Sequence, residues 1–411
     1  MLKIVYPICC GIDVHKTFVV ACIASTNSNN ETSYSTRRFS TFTKGLTELS
    51  AWLASHECLN VCMESTGKYW IPVHNVLEQT VSVVLAHPKY VKAIRGKKTD
   101  VKDAQWIADL FKHDLVRPSF IPSLEIRQLR DLCRYRIKLV NTRSSEKNRL
   151  QNVLSTSNIQ LASVVSDITG KSALRIINAF LDSPETLEAQ LPNLIHGKLT
   201  PKIPDIIDAM DGYLLPQQKS KLRIILLQLD NLNRNIALLE DEIIRLASPF
   251  AKWTDLLLTV PGVKSIITAI TVLAEISNDM SHFPSSKHLC SWAGLTPQNN
   301  ESAGKKKSVR ISKAGAFLKP LLVQCSLAIV ASSKYPEFKN HYLQLKKRRG
   351  HKKALIAVAR KVITAIYHMF TRQEEYKPFV ETNPALPLHK TISIEDAINF
   401  AELNGFKVAT D

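Results

Sequence analysis

At 411 residues and 45% hydrophobic content the chain can bury two or three cores, which excludes wholesale disorder. Lysine and arginine number 54 against 36 acids, a formal charge of +18, so a polyanion is the first partner to expect. No apolar run reaches membrane-spanning length, and Asp13, His15 and Lys16 break the stretch where a signal peptide needs an apolar core; a cytoplasmic protein without membrane association is expected.

The first elements are β-rich. VYPICCGID and FVVACIA are separated by the polar step at His15 and Lys16, which predicts a hairpin, and TRRFSTF is a third strand. An amphipathic helix, TKGLTELSAWLASH, precedes the strand NVCMES, a helix from Trp70 to Gln79 and the strand SVVLAH. Strands first, then alternating strand and helix, describe a mixed sheet with helices on its faces. The eight cysteines lie mostly inside apolar runs, without a CxxC pair or paired histidines, and read as reduced core residues.

Next comes TDVKDAQWIADL, Thr99 to Leu110, an amphipathic helix with Asp100 and Asp103 in its first turn. Three residues apart, the two carboxylates share a face and can enter one pocket, where they repel unless a cation lies between them. Further acids are expected from strand ends, and Asp13 and Glu64 each interrupt a run of β-formers where an acid has no packing role. A helix-capping role is the plainer reading of Asp100 alone. The four together match a ribonuclease-H-like arrangement, in which acids meet over a sheet and hold two Mg²⁺.

A long helix is expected from Leu124 to about Leu154, apolar at Leu129, Leu132, Leu139, Leu150 and Val153 and otherwise rich in arginine and lysine. Shorter helical segments follow, broken by Gly170, Pro184, Pro192 and the PKIPD turn. Leu222, Ile225, Leu229, Leu232, Ile236, Leu239, Ile243 and Leu246 then alternate steps of three and four, a heptad seam that predicts either an antiparallel pairing with the Leu124 helix or a dimer contact, beside the plainer reading as one bundle helix.

Composition shifts near Ala251. LLLTVPGVKSIITAITVLAEI predicts helix, Pro-Gly turn and helix, like a helix-hairpin-helix whose turn meets a backbone phosphate. A polar loop bearing Ser302 follows, between two apolar helices. From Lys305 to Lys361 there are 16 lysines or arginines and one acid, Glu337. A solvated face mixes signs, so Lys305, Lys306, Lys307, Arg310, Lys313, Lys346, Lys347, Arg348, Arg349, Lys352 and Lys353 are candidate phosphate contacts. HKKALIAVARKVITAIYHMF closes this region, and ISIEDAINFAELNGFKV predicts a small capped helix in a tail that is no longer basic.

GIDVHK at Gly11 to Lys16, MESTG at Met63 to Gly67 and KTDVKDA at Lys98 to Ala104 resemble the three acidic motifs of the DEDD transposases of bacterial insertion sequences, a family that includes pilin-gene invertases and bridge-RNA-guided recombinases. VPGV, SWAGLTP, SAGKKK, ISKAG and AVARK resemble its C-terminal domain, so the resemblance runs from about residue 8 to 370.

This resemblance implies a ribonuclease-H-like (RuvC-like) α/β catalytic domain over residues 1–120, a helical coiled-coil and oligomerisation region over 121–250, a mostly α C-terminal domain over 251–372 and a tail over 373–411. It implies Asp13, Glu64, Asp100 and Asp103 as catalytic ligands of Mg²⁺ or Mn²⁺, in two ions, and a serine that joins DNA covalently. By motif that serine is Ser302, although Glu301 and Ala303 flank it where the family commonly has paired serines before glycine, and Ser308 and Ser312 stand nearby. The implied partners are DNA at the element ends and target, a structured noncoding RNA, and further copies of the chain. A Holliday-junction-type nuclease without a covalent intermediate and a non-catalytic architectural protein are the competing readings.

Overall fold

The computed structural model describes residues 2–64, 67–91, 99–297, 300–302, 305–308 and 310–378, and the tail helix expected beyond them lies outside the described residues. The chain forms two compact units, 1–127 and 128–411.

In the first unit, β1 (Ile8–Val14), β2 (Phe18–Thr26), β3 (Thr32–Ser40), β4 (Asn60–Glu64) and β5 (Ser82–Ala86) make one sheet in the order β3-β2-β1-β4-β5. The expected hairpin is there: β1 and β2 pair antiparallel, as do β2 and β3, whereas β4 runs parallel to β1 and β5 parallel to β4. β1 is apolar on both faces because it is central. Its alternate residues Cys10, Ile12 and Val14 join the core under α1 (Thr43–Ser55) and α2 (Trp70–Leu77), with Leu46, Leu49, Leu53, Val73 and Leu77. A short helix, α3 (Pro88–Val91), follows β5.

The opposite face carries α4 (Asp100–Lys112). Thr99 caps it by accepting the Lys102 amide at 3.3 Å, and Asp100 and Asp103 sit where a helix N-terminus favours negative charge. Ile107, Ala108 and Phe111 pack on Cys9, Ala24, Cys62 and Ala86. α4 lies close to β1 because Gly11 has no side chain: a Cβ there would stand 2.3 Å from both the Ala104 carbonyl oxygen and the Ala108 amide nitrogen.

In the second unit, α5 (Leu124–Thr156), whose first residues belong to the first unit, leads into four short helices, α6 (Leu161–Val164), α7 (Lys171–Asp182), α8 (Leu187–Leu194) and α9 (Ile203–Met210), and then α10 (Pro216–Ala247). Leu222, Ile225, Leu229, Leu232, Ile236 and Ile243 of the heptad positions are buried, while Leu239 and Leu246 are half-buried. Arg136 meets Glu240 and Arg143 donates to Asn233 at 3.0 Å, so α10 descends as α5 ascends. α5 is tied to α12 (Ile266–Ile276) by Arg130, which donates to the Ala274 and Glu275 carbonyls, and by Arg134, which grips the buried Glu275 carboxylate at 2.7 and 2.8 Å.

Between α11 (Ala251–Leu258) and α12 the expected Pro-Gly turn is present. Gly262, at φ +83°, backs onto Cys325 in α14 (Leu318–Ala331), so packing alone demands glycine there. α13 (Ser286–Trp292), α14 and α15 (Pro336–Arg349) surround α16 (His351–Arg372), the one described helix with the length and hydropathy of a membrane span; its apolar face is buried by these neighbours. The segment expected as a loop contains two short antiparallel strands, β6 (Asn300–Ser302) and β7 (Lys305–Ser308). Their residues lack apolar alternation, so periodicity could not reveal them.

All eight cysteines are reduced and buried, and burial raises the thiols of Cys9 and Cys62 to about 12. Gly11→Ala is expected to lower stability by about 1–3 kcal/mol, the usual cost of overpacking. The measurement is urea unfolding, and an unchanged midpoint would contradict the close approach of α4 to β1.

Candidate active site

The carboxyl end of β1, the end of β4 and the first turn of α4 converge. On β1, Asp13 points to the α4 face because it alternates with the buried Ile12 and Val14. Ile12 pairs with Met63, which sets Asp13 beside Glu64 at the end of β4. Asp100 is exposed, whereas Asp13, Glu64 and Asp103 are half-buried. His15 joins them: its Nε2 lies 3.1 Å from Asp13 Oδ2 and 3.4 Å from Asp100 Oδ1.

Burial is the first reason that the Asp13 carboxyl titrates above the ordinary carboxylate value. His15 opposes the rise, while Asp100, Asp103 and Glu64 add to it, so all four acids act on one small volume. A single imidazole cannot neutralise four carboxylates, and the deficit suits a divalent cation. Asp13, His15 and Asp100 offer ligand atoms within 4.8 Å of one another, a mixed carboxylate and imidazole set that can hold a metal. His15 is the residue that sequence reasoning treated only as part of a polar turn. Its signal was its place two residues after Asp13, where a strand puts both side chains on one face.

Ser302 ends β6, and Lys305 to Lys307 lie in β7, with Ser302 in register with Lys305 and Glu301 with Lys306. The base of this strand pair is fixed. Pro297 bridges Ile311, Gly294 backs onto the Ala314 carbonyl and Gly315 onto the Ala293 carbonyl, so the SWAGLTP and ISKAG segments interlock through glycines. Lys319 Nζ donates to the Ser312 and Ala314 carbonyls at 2.7 and 3.0 Å. The Ser312 hydroxyl accepts the Ala314 amide at 3.2 Å, a turn-forming role that weakens it as a nucleophile candidate.

Arg310 and Lys313 are exposed near this base. A larger run, Lys346, Lys347, Arg348, Arg349, Lys352 and Lys353, is exposed around Gly350, at the corner of α15 and α16. The four at the end of α15 favour the negative pole of that helix.

A mixed sheet with acids converging at its strand ends, followed by a mostly helical unit with a basic surface, fits an enzyme that acts on DNA. Residues 10–159 match a family model described as transposase, of the DEDD IS110 type, and residues 254–343 match the transposase IS116/IS110/IS902 family; together these take in more than half of the chain. Among curated proteins, the chain is 25% identical over 323 residues to the transposase for insertion sequence element IS1111A of Coxiella burnetii, covering 77% of this chain and 79% of the other. It is 22% identical over 385 residues to the pilin gene-inverting proteins of Moraxella lacunata and Moraxella bovis, in each case over 89% of this chain and 96% of the relative. The chain belongs to this family of transposases and recombinases.

Because the folded state raises the Asp13 pKa, the ionised carboxylate costs stability above the folded pKa, and this cost vanishes below the ordinary carboxylate value. Without divalent metal, Asp13→Asn is therefore expected to raise the melting temperature at pH 7, by a margin that shrinks on acidification; a lower melting temperature at pH 7 would count against crowded carboxylates. Replacing Lys346, Lys347, Arg348 and Arg349 by alanine is expected to weaken binding to all DNA sequences alike and to flatten the salt slope by about 0.9 for each phosphate that these cations neutralise in the complex. An unchanged slope would show that the run is only a solvated face.

Proposed function

We propose that this transposase excises and inserts its own element by divalent-metal-dependent cleavage and transfer of DNA strands, through a serine-linked intermediate and under the guidance of a structured noncoding RNA. The observation that carries the reading is the meeting of Asp13, Glu64 and the first turn of α4 around His15. The strand order, with β1 to β3 antiparallel and β4 and β5 added parallel, supports a ribonuclease-H-like (RuvC-like) fold for the first unit.

Asp13, Glu64, Asp100 and Asp103 would hold Mg²⁺ or Mn²⁺, as two ions, with His15 available as a further ligand. When bound, the metal polarises the scissile phosphate and stabilises the leaving oxygen. Asp13, half-buried on a central strand, is the fixed member of the set, and Asp100 and Asp103 are held by the Thr99 cap and the packing of α4. His15 orients Asp13 and Asp100 through Nε2, where it can also hold a proton.

In the second unit, Ser302 is the proposed nucleophile. Its neighbours in sequence, Ala303 and Gly304, are small enough for DNA to come close, and Lys305 to Lys307 supply charge for a phosphate. A serine hydroxyl needs a base or metal for attack. The exposed Lys264 and Ser265 at the start of α12 could serve a backbone phosphate in the manner of a helix-hairpin-helix. The net charge of +18 supports a structured RNA as a further polyanion partner, and the exposed Ile224, Leu227 and Leu238, on the side of α10 opposite its buried seam, support an oligomer.

The test is a covalent adduct assay. Ser302→Ala is expected to bind nucleic acid normally yet form no protein–DNA species, whereas Ser308→Ala and Ser312→Ala still do; Asp13→Asn and Asp103→Asn are expected to bind without cleaving. An adduct from Ser302→Ala would reassign the nucleophile. Cleavage by wild type without any adduct would leave a Holliday-junction-type nuclease. RNA guidance is tested by sequencing the RNA that copurifies.

A further inference from the structure

Beside the acid cluster stands a cation that neither the acidic motifs nor the basic run includes. Arg38 lies on β3, the edge strand, whose residues 33–38 are all exposed and include no acid. Asp13 pairs with Val20, and Val20 pairs with Arg38, so Arg38 and Asp13 occupy one cross-strand row and the same face of the sheet. Two strand spacings of about 4.8 Å put them roughly 10 Å apart.

The Arg38 side chain is held toward the site. Its guanidinium carbon lies 3.6 Å from the centre of the Phe18 ring, and that ring lies 4.5 Å from the imidazole of His15, which in turn touches Asp13 and Asp100. Arg38, Phe18 and His15 thus form a row of contacts, with the two rings tilted 36° to each other, that ends on the acids. Stacking uses the face of a guanidinium and leaves its in-plane N–H donors available for two-point binding of a phosphate. An arginine there to neutralise the acids would bind them directly, yet among the described residues Arg38 makes no ion pair.

We infer that Arg38 grips a backbone phosphate of the DNA strand that lies across the acid cluster, within about three nucleotides of the cut bond, given an axial rise of about 3.4 Å per nucleotide. Phe18 sets the angle of the guanidinium, and the exposed hydroxyls of β3 leave room for the strand. The inference rests on the proposal that the acids are the cleavage site. It makes Arg38 a substrate-positioning residue, which fixes where along the strand the bond meets Asp13.

The full-length protein, with any RNA that copurifies, is assayed on DNA carrying its element's ends, in which single linkages near the cut are replaced by uncharged methylphosphonates. In wild type one replacement is expected to slow cleavage about tenfold, the usual scale for a charged hydrogen bond. Arg38→Ala is expected to be about tenfold slow on unmodified DNA, insensitive to that one replacement, and unchanged in melting temperature; Arg38→Lys should recover part of the rate. If Arg38→Ala cleaves at the wild-type rate, or keeps the full sensitivity at every position, Arg38 does not hold a phosphate. Asp13→Asn is the separate control: its cleavage at the wild-type rate overturns the site assignment itself, whereas its inactivity with a fully active Arg38→Ala overturns only the role of Arg38.

Discussion

A single hydrogen atom in place of a side chain at Gly11 lets the backbone of α4 lie against the backbone of β1, with no room for even a methyl group between Gly11 and the Ala104–Ala108 turn. The distances between the acids of α4 and the groups on β1 depend on that close approach. It fixes the height of the helix above the sheet, and therefore how far Asp100 reaches toward Asp13 and whether one imidazole can touch both. The energetic conflict is plain. Apolar packing of Ile107, Ala108 and Phe111 draws the helix down, while the same approach crowds carboxylates that repel. Such a site stores unfavourable charge in its packed state, and the core holds it there.

How much of this could be read from the chain depends on whether the signal was local. The five strands and α4 were legible because β-rich runs, helical periodicity and acids at element ends are written within a few residues, although the cap of α4 is Thr99 and not Asp100, for which a capping role was the plainer expectation. The order of the strands was not, since the parallel pairing of β1 with β4 joins residues some fifty apart in sequence. Gly11 looked like any strand glycine, because what it accommodates lies more than ninety positions downstream. His15 was read as turn chemistry, and only the approach of Asp100 gives it a second carboxylate to bridge.

In the second unit the heptad positions of α10 were legible but left two neighbours open, and the bonds from Arg136 and Arg143 select the antiparallel pairing with α5. β6 and β7 escaped notice for the opposite reason. Asn300–Ser302 and Lys305–Ser308 are polar throughout, and their pairing is fixed by a base in which Gly294 and Gly315 each lie tight against a carbonyl of the other segment. Glycines that read as loop punctuation prove to be a joint.

The clamp of α5 on α12 bears on that joint. Arg134 is shared: its nitrogens hold Glu275, while its guanidinium covers the ring of Phe317, which leads from Gly315 into α14. Arg130, one turn earlier, fastens to the carbonyls that end α12. A helix of 33 residues, roughly 50 Å long, is thereby locked in azimuth at this level. Arg134 therefore joins three elements through one side chain: α5, which carries it, α12, whose Glu275 it holds, and the residue before α14, whose ring it covers.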